Sequence, residues 1–200
     1  MAGKFLVFEW DHASGKTTLA KSLSFSLTER GKKVVTTKEP FNEDIRKFIE
    51  EISKEDDKVK GNLAIMYLLS ADRYLHLDFI QEQLGLNDFV ISDRYVLSSL
   101  VYQQMQGIPL SKIEEANSFC LIPYLTFFVD VSYPIRIIRA LGEERNKPDT
   151  FFRRMYERES ELYTRVCDCF STKYNVFRVD NTKPLNEVIA ELECKLEKLL

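Results

Sequence analysis

The stretch FEWDHASGKTTL, residues 8–19, follows a short apolar run and comes close to the phosphate-binding pattern G-x-x-x-x-G-K-[ST]. Gly15, Lys16 and Thr17 complete the pattern, but Trp10 stands where its first glycine belongs. In a strand–loop–helix setting, backbone N–H groups at the helix N-terminus hold phosphate oxygens, the lysine reaches the terminal phosphates and the threonine hydroxyl binds Mg²⁺. The stretch therefore predicts a nucleotide-phosphate site directly after the first strand.

Trp10 is the unusual residue of this loop. Glycine at that position permits a tight turn whose backbone angles cost a bulky residue about 1–3 kcal/mol. Either the turn is built differently here, or Trp10 accepts that strain because of a contact it makes. The indole either stacks on a substrate or fills the core beneath the loop, and filling the core is the commoner use of a buried tryptophan.

Composition narrows the class of protein. The chain has 200 residues, of which 44% are hydrophobic and 30% charged, and this fits one globular domain spanning 1–200. A net charge of −3 argues against broad electrostatic binding to nucleic acid. No apolar run approaches the length of a membrane span, so we expect a cytoplasmic protein with no membrane partner. The four cysteines are expected to be reduced thiols rather than metal ligands or a disulfide.

Short apolar runs alternate with helical patterns along the whole chain. These runs are continuous rather than alternating, as in strands buried on both faces. The predicted strands are 4–9, 32–37, 88–93, 124–131 and 175–180. We therefore predict an α/β protein with the P-loop NTPase fold: a five-stranded parallel sheet flanked by helices on both sides. In such sheets ligands bind beyond the carboxyl ends of the strands.

Charged residues occur at or near those strand ends. Asp93 and Arg94 close the third strand, where a carboxylate can hold the water shell of Mg²⁺ and an arginine can clamp a phosphate, although a structural ion pair is the alternative. Glu39 ends the second strand and points toward the place where a base or hydroxyl would bind. Arg73, in an apolar helical pattern, needs an anion: either a substrate phosphate, or Asp72 or another carboxylate.

A basic segment between Gly142 and Pro148 lies between two helical patterns. A short basic loop in this position suits a lid, at about 142–148, that closes on transferring phosphates and excludes water. A solvated charged face is the alternative interpretation. The lid would supply Arg145.

In this order and at this spacing, the motifs resemble those of the thymidylate kinases over nearly the whole chain. The matching stretches are FEWDHASGKTT, KEP, LLSADR, DRYVLSSLVYQ and YLTFFVDV. The resemblance implies a kinase that transfers the γ-phosphoryl group of ATP-Mg²⁺ to dTMP, and it implies a homodimer. Two alternatives stay open: a deoxynucleoside kinase of related fold, and a non-catalytic nucleotide-binding P-loop protein.

The resemblance also implies roles for individual residues. The residues implied to bind ATP are Ser14, Gly15, Lys16, Thr17, Thr18 and Arg139. The implied metal-site residues are Thr17 and Asp93, and the implied catalytic residues are Lys16, Asp93, Arg94 and Arg145. The residues implied to bind the acceptor nucleotide are Glu39, Arg46, Leu69, Arg73, Arg94, Ser99, Tyr102 and Gln103. In this assignment Arg73 and Arg94 grip the acceptor phosphate, Ser99 faces the base, and the Tyr102 ring leaves no room for a ribose 2′-OH.

The chain departs from the family pattern at several positions. Leu69 aligns with the aromatic residue that stacks on thymine in the family, and an aliphatic side chain cannot stack in that way. The loop itself is atypical at Trp10, Asp11, His12 and Ala13. His12 stands where the family has an acidic residue, and Asp11 beside it is the expected substitute. Phosphate chemistry is therefore better supported by the motifs than selectivity for thymine.

Overall fold

Five strands form one parallel sheet in the computed structural model, which describes residues 3–10, 14–53, 58–141 and 150–199. The strands are β1 (Lys4–Glu9), β2 (Val34–Lys38), β3 (Phe89–Asp93), β4 (Leu125–Asp130) and β5 (Val176–Asp180). Each begins and ends within two residues of its predicted bounds. The predicted α/β class and parallel sheet are confirmed.

The strand order is β2-β3-β1-β4-β5, so β1 lies in the centre of the sheet. In the register, Phe5 is paired with Val90 of β3, and Phe8 with Phe127 of β4. Residues 5–9 of β1 are all buried, as the continuous apolar run predicted. The phosphate-loop stretch therefore leaves the sheet from its most enclosed strand.

Helices connect the strands and cover the sheet. The helices in the described residues are α1 (Lys16–Glu29), α2 (Glu43–Ile52), α3 (Lys58–Leu86), α4 (Val96–Met105), α5 (Leu110–Ala116), α6 (Tyr133–Leu141), α7 (Thr150–Cys169) and α8 (Leu185–Glu197). Helix α1 packs beside α8, where Ser26 Oγ and the Arg30 guanidinium donate to Glu193 at 2.5 and 2.6 Å. Helix α4 packs against α3 and α7. No helix among the described residues is long and apolar enough to cross a bilayer.

The loop after β2 is tied down at the start of α2. The Asn42 side chain caps α2 by accepting from Asp44 N and Ile45 N. The Asp72 carboxylate of α3 accepts from Phe41 N at 2.7 Å and Asn42 N at 2.6 Å. Asp72 is therefore occupied by backbone donors, and this fixes the position of Glu39 immediately upstream.

Candidate functional site

The N-terminus of α1 is open for a ligand. Gly15 precedes the helix with φ 93°, a left-handed conformation that favours glycine, and no side chain among the described residues caps the helix. A Cβ at Gly15 would lie 2.7 Å from Asn181 Nδ2, so a side chain at this position would force Asn181 to move. Uncapped backbone N–H groups at a helix start bind anions, and the first turn carries no acidic residue to oppose them.

The Ser14 carbonyl is held by two side chains that follow β4 and β5 in the chain. Arg139 Nη1 donates to it at 3.2 Å and Asn181 Nδ2 donates to it at 2.7 Å. Arg139 Nη2 also donates to the Asn181 carbonyl at 3.0 Å. The loop that precedes α1 is therefore fixed by α6 and by the residue that follows β5.

Lys16 is buried at the first position of α1. Its Nζ lies 3.5 Å from Ser14 Oγ. Burial lowers the pKa of the Lys16 ammonium to about 7, with the Arg94 charge adding to the effect and the Asp93 and Glu9 carboxylates opposing it. An anion bound at the helix N-terminus would offset this desolvation and favour the charged lysine.

Thr17 and Asp93 meet beyond the ends of β1 and β3. The Thr17 hydroxyl donates to Asp93 Oδ2. A hydroxyl and a carboxylate oxygen side by side are the ligand types that Mg²⁺ takes, usually one or two from protein with phosphate and water completing the shell. The described residues contain no group of three or more His, Cys, Asp or Glu that could hold a metal. These two residues therefore fit a Mg²⁺ that arrives with a nucleotide.

A cavity of about 270 Å³, here called the arginine cavity, opens beside this pair. It is lined by Glu39, Pro40, Leu69, Arg73, Arg94, Tyr95, Ser98, Ser99, Tyr102 and Gln103. Seven of the eight residues predicted to bind the acceptor are brought together here. Among the described residues, Arg46 does not line the cavity. It pairs with Glu43 and Glu50 on its own helix, so the geometry gives its predicted role no support.

Arg73 is buried in the wall of the arginine cavity and is bonded on every side. Its Nε and Nη2 donate to Glu39 Oε2 at 2.9 and 2.6 Å, and Nη2 also donates to Ser99 Oγ at 2.9 Å. Nη1 donates to Asn117 Oδ1. Among the carboxylates considered from the sequence, the partner of Arg73 is Glu39 rather than Asp72, and contact with a substrate phosphate stays a prediction.

His76 extends this network and was missed by the sequence analysis. The ring is fully buried, with Nδ1 3.2 Å from Glu39 Oε1 and Nε2 2.8 Å from Thr37 Oγ1. It stacks on Phe41 with a ring-centroid distance of 4.5 Å. The available signal was its spacing of three residues from Arg73, which places both side chains on one face of α3.

Arg94 enters the same cavity from the end of β3. Its Nη1 donates to Ser98 Oγ at 3.1 Å, Tyr102 OH at 3.3 Å and Tyr163 OH at 3.2 Å. All these partners are neutral hydroxyls, and burial raises the pKa of both tyrosines. The Arg94 charge is therefore oriented by hydrogen bonds without being neutralised by them. Tyr163, on α7, had no signal in the sequence.

Glu9 closes β1 and holds the start of α4. Its carboxylate accepts from Tyr95 N at 2.8 Å, Ser98 N at 3.1 Å and Ser98 Oγ at 2.6 Å. Burial raises the pKa of Glu9 to about 7, although Ser98 and Arg94 act in the opposite direction. Glu9 thus positions the backbone between Arg94 and Ser98.

Trp10 is 2% exposed and packs in the core. Its φ of 159° is nearer to extended backbone than to the φ of about 57° that a left-handed turn requires. The indole meets Phe128 edge-on at 4.2 Å and lies 5.4 Å from the Tyr163 ring. Of the two uses considered from the sequence, the structure supports packing beneath the loop.

A second cavity of about 270 Å³, here called the loop cavity, lies at the start of α1. It is lined by Gly15, Thr18, Leu19, Arg139, Asn181, Lys183 and Leu185. Gly15, Thr18 and Arg139 were predicted to bind ATP. Asn181 and Lys183 were not, although the rule that ligands bind beyond strand ends applies to β5 as well.

Several predicted positions lie outside the described residues. These are Asp11, His12 and Ala13 of the loop, and the proposed lid at 142–148 with Arg145.

Comparisons with known proteins agree on one family. The family model described as thymidylate kinase matches residues 12–192. A "Probable thymidylate kinase" of Metallosphaera sedula is 35% identical over 186 residues, covering 92% of this chain and 87% of the relative. A "Probable thymidylate kinase" of Methanococcus maripaludis is also 35% identical, with 94% and 92% covered. A "Thymidylate kinase" of Leuconostoc mesenteroides is 32% identical, with 98% and 96% covered.

Proposed function

The chain belongs to the thymidylate kinase family, and from this premise we propose that it transfers the γ-phosphoryl group of ATP to dTMP, giving ADP and dTDP. It is a nucleoside monophosphate kinase, a phosphotransferase. The main support for the proposal is that two consecutive residues, Asp93 and Arg94, connect the phosphate loop to the arginine cavity. Asp93 accepts from Thr17 of the phosphate loop, while Arg94 lines the arginine cavity.

The donor phosphates bind at the N-terminus of α1 in this proposal. Backbone N–H groups of the first turn and the Lys16 ammonium neutralise the phosphate oxygens as charge moves from the acceptor side to the donor side. The carbonyl of Ser14, held by Arg139 and Asn181, keeps the loop in place during the transfer. No covalent intermediate is needed, since positioning and charge neutralisation account for most catalysis of this kind.

Thr17 and Asp93 would hold Mg²⁺ through their side-chain oxygens. The ion bound with ATP would supply charge neutralisation between the donor phosphates. The Thr17 hydroxyl donates to Asp93 Oδ2, so the two oxygens lie close together.

Arg94 binds the acceptor phosphate. The Glu9 charge acts on Arg94, but the hydrogen bonds of Arg94 Nη1 go to the hydroxyls of Ser98, Tyr102 and Tyr163 rather than to a carboxylate, so in this proposal the guanidinium can also bind a phosphate entering the arginine cavity. Arg73 differs because Glu39 already pairs with it. Arg73 therefore presents a fixed edge of the cavity to the nucleotide rather than a free positive charge, and this alters the role that the resemblance implied.

The acceptor base lies among Leu69, Ser99 and Gln103. Gln103 is 1% exposed, and within the described part of the chain its Oε1 accepts no hydrogen bond, so it can take an N–H of a base. Leu69 gives the base an aliphatic surface, which contributes dispersion but no aromatic stacking. Tyr102 lies at the sugar and excludes a ribose 2′-OH.

The adenine of ATP occupies the loop cavity beside Arg139 and Asn181. The Arg139 guanidinium lines this cavity while it donates to the Ser14 carbonyl, so the same side chain contacts the base and fixes the loop. The lid at 142–148 would contribute Arg145, and Asp11 or His12 would contribute the acidic or titratable group of the loop.

The deoxynucleoside kinase alternative is not favoured. It needs Glu39 as a general base to accept a hydroxyl proton. The Glu39 carboxylate instead accepts twice from Arg73 and contacts His76, so its oxygens are already engaged by protein groups.

The proposal includes a homodimer formed through α3. Tyr67 and Tyr74 are 51% and 60% exposed, and Ala71 lies exposed between them one turn from each. This spacing forms one apolar stripe along a long helix, a surface suited to pairing with a second copy.

The proposal also includes a cytoplasmic location. The free thiols of Cys120, Cys167, Cys169 and Cys194 fit a reducing compartment.

Product analysis tests the proposed function. The chain is incubated with ATP, Mg²⁺ and dTMP, and the nucleotides are separated by anion-exchange chromatography. We expect ADP and dTDP in equal amounts, with negligible ADP when dTMP is left out. Nucleotide binding without either product would instead support the non-catalytic alternative.

A further inference from the structure

Trp10 packs against Tyr163, and Tyr163 is hydrogen-bonded to Arg94 in the wall of the arginine cavity. Within the described residues, Trp10 does not line this cavity. Its indole is wedged between Phe128 of β4 and Tyr163 of α7, at ring-centroid distances of 4.2 and 5.4 Å. Its Nε1 has no hydrogen-bond partner in the same part of the chain, so packing alone accounts for its observed contacts. The contact with Tyr163 links the indole to the residues of the cavity.

Tyr163 is fully buried and is bonded directly to the cavity residues. Its hydroxyl accepts from Arg94 Nη1 at 3.2 Å and lies 2.9 Å from Ser98 Oγ. Because the Ser98 proton goes to Glu9, the Tyr163 hydroxyl donates to Ser98. The Tyr163 ring also meets Tyr102 edge-on at 5.8 Å. Tyr163 is therefore one of three residues whose hydroxyls orient the Arg94 guanidinium, and it also contacts the other two, Ser98 and Tyr102.

The end of β1 holds the Arg94 segment at three consecutive residues. The Phe8 carbonyl accepts from Arg94 N at 2.9 Å, and the Glu9 carboxylate accepts from Tyr95 N and Ser98 N. Arg94 itself has φ 75°, a left-handed conformation that a side chain adopts only when its surroundings enforce it. Trp10, the residue after Glu9, contacts the Tyr163 ring, and the Tyr163 hydroxyl accepts from the Arg94 side chain.

We propose that Trp10 is a positioning residue that orients Arg94 toward the acceptor phosphate by fixing Tyr163. The inference rests on the proposed function, in which Arg94 binds that phosphate. A glycine at this position would leave the space between Phe128 and Tyr163 unfilled, and the Tyr163 ring would lose its support. The tryptophan in the phosphate-loop motif therefore serves the acceptor side of the site.

Steady-state kinetics of Trp10→Leu and Trp10→Phe test this. Leucine fills part of the volume but loses the aromatic edge, and phenylalanine restores a ring against Tyr163. For Trp10→Leu we expect the KM for dTMP to rise about tenfold while the KM for ATP stays within about twofold. Trp10→Phe should recover most of the dTMP affinity. Equal rises in both KM values, or none, would overturn the proposal.

Phe127→Leu is the matched control. Phe127 is a fully buried aromatic residue on the same strand as Phe128 but faces the other side of the sheet, where it packs against Phe8 and Phe177. It should lower the Tm about as much as Trp10→Leu without changing the KM for dTMP. A dTMP effect of equal size in the control would show that Trp10→Leu acts through general loss of packing, and this would overturn the proposal.

Fluorescence gives a second measurement that does not depend on turnover. Trp10 is the single tryptophan of the chain, so its emission reports on the wedge itself. Adding dTMP alone should change the emission of the wild type, and the change should be lost in Tyr163→Phe, which keeps the ring but removes the bond to Arg94. Emission that responds equally in both proteins would contradict the link. If the wild type fails to convert dTMP, both the proposed function and this inference are wrong. If the wild type turns over normally and Trp10→Leu has an unchanged KM for dTMP, only this inference is wrong.

Discussion

The arginine cavity and the loop cavity have the same volume, about 270 Å³ each, but they are built in different ways. The wall of the arginine cavity contains the buried ion pair of Arg73 and Glu39, and Arg94 is hydrogen-bonded there to hydroxyls. The loop cavity is bordered by backbone and by exposed side chains, including Arg139 and Lys183. A prebuilt polar wall can reject a ligand that does not match it, whereas a backbone cradle accepts phosphate regardless of the base attached.

From this difference we expect the arginine cavity to select the acceptor nucleotide and the loop cavity to constrain the geometry of the bound ATP. Buried charges are costly to leave unpaired, so substitutions in the arginine cavity should affect folding as well as binding. Substitutions around the loop cavity should weaken ATP binding with little effect on the free energy of unfolding. The exception is a substitution that changes the backbone conformation, as at Gly15. Four experiments test this contrast.

Lys16→Ala should have the largest effect, because Lys16 serves the phosphoryl group that passes between the two cavities. Losing one group that neutralises transferring phosphate typically costs about 10²–10³ in kcat, and we expect the upper end of this range. The ADP-release assay with saturating ATP and dTMP measures it. Lys21→Ala, an exposed lysine on the next turn of α1, is the control and should keep wild-type activity. A fall of less than tenfold in Lys16→Ala would contradict the proposed role.

Arg73→Met compared with Arg139→Met tests the two walls directly. Arg73→Met leaves Glu39 buried beside His76 without its cation, so the free energy of unfolding should fall by about 3–5 kcal/mol. Arg139 is exposed, and the loss of its hydrogen bonds to the Ser14 and Asn181 carbonyls should cost about 1 kcal/mol. Urea denaturation of both variants gives the comparison, and adding Glu39→Gln to Arg73→Met should restore part of the loss. Equal losses in the two single variants would contradict the contrast between the cavities.

Gly15→Ala tests the backbone cradle. The substitution places a Cβ 2.7 Å from Asn181 Nδ2 in a residue with φ 93°, which strains the loop by about 1–3 kcal/mol. We expect the KM for ATP to rise about tenfold while the KM for dTMP is unchanged. Gly31→Ala is a matched control, since Gly31 has φ 77° but open space around it and lies in neither cavity. A rise in the dTMP KM of Gly15→Ala would show that the two cavities are not independent.

The pH dependence of ATP binding should show the smallest effect. The pKa of Lys16 in the free protein is about 7, and bound polyphosphate raises it because the anion favours the ammonium form. ATP binding therefore takes up a proton above pH 7, and the affinity should fall with rising pH by at most about tenfold per unit. Calorimetric titrations between pH 7.5 and 9, where the terminal phosphate is fully ionised, measure this. Lys16→Arg, whose guanidinium stays charged, should remove the dependence, and a flat wild-type profile would contradict it.

Local patterns in the sequence predicted the strands and much of the arginine cavity. Continuous apolar runs located all five strands, and the positions of Glu39 and Arg94 next to strand ends placed them at the site because parallel strands end at one edge of the sheet. Patterns on the phosphate loop likewise located Gly15 and Lys16.

The partners of these residues could not be predicted in the same way. Asn181 donates to Ser14 from 167 residues away, and Tyr163 reaches Arg94 across 69 residues, so neither contact leaves a local periodicity. The conformation of Trp10 depends on the space between β4 and α7, which exists only once the sheet is covered. Such contacts are set by tertiary packing rather than by propensity.

The central claim is that the arginine cavity binds a nucleoside monophosphate through Arg94, and the ratio of kcat/KM for dTMP to that for thymidine tests it most directly. A site built around a phosphate-binding arginine should prefer dTMP by at least about 10³-fold, because thymidine leaves that charge unpaired. Turnover of thymidine that equals or exceeds that of dTMP would contradict the account, since it would place a hydroxyl, and not a phosphate, at the end of the arginine cavity.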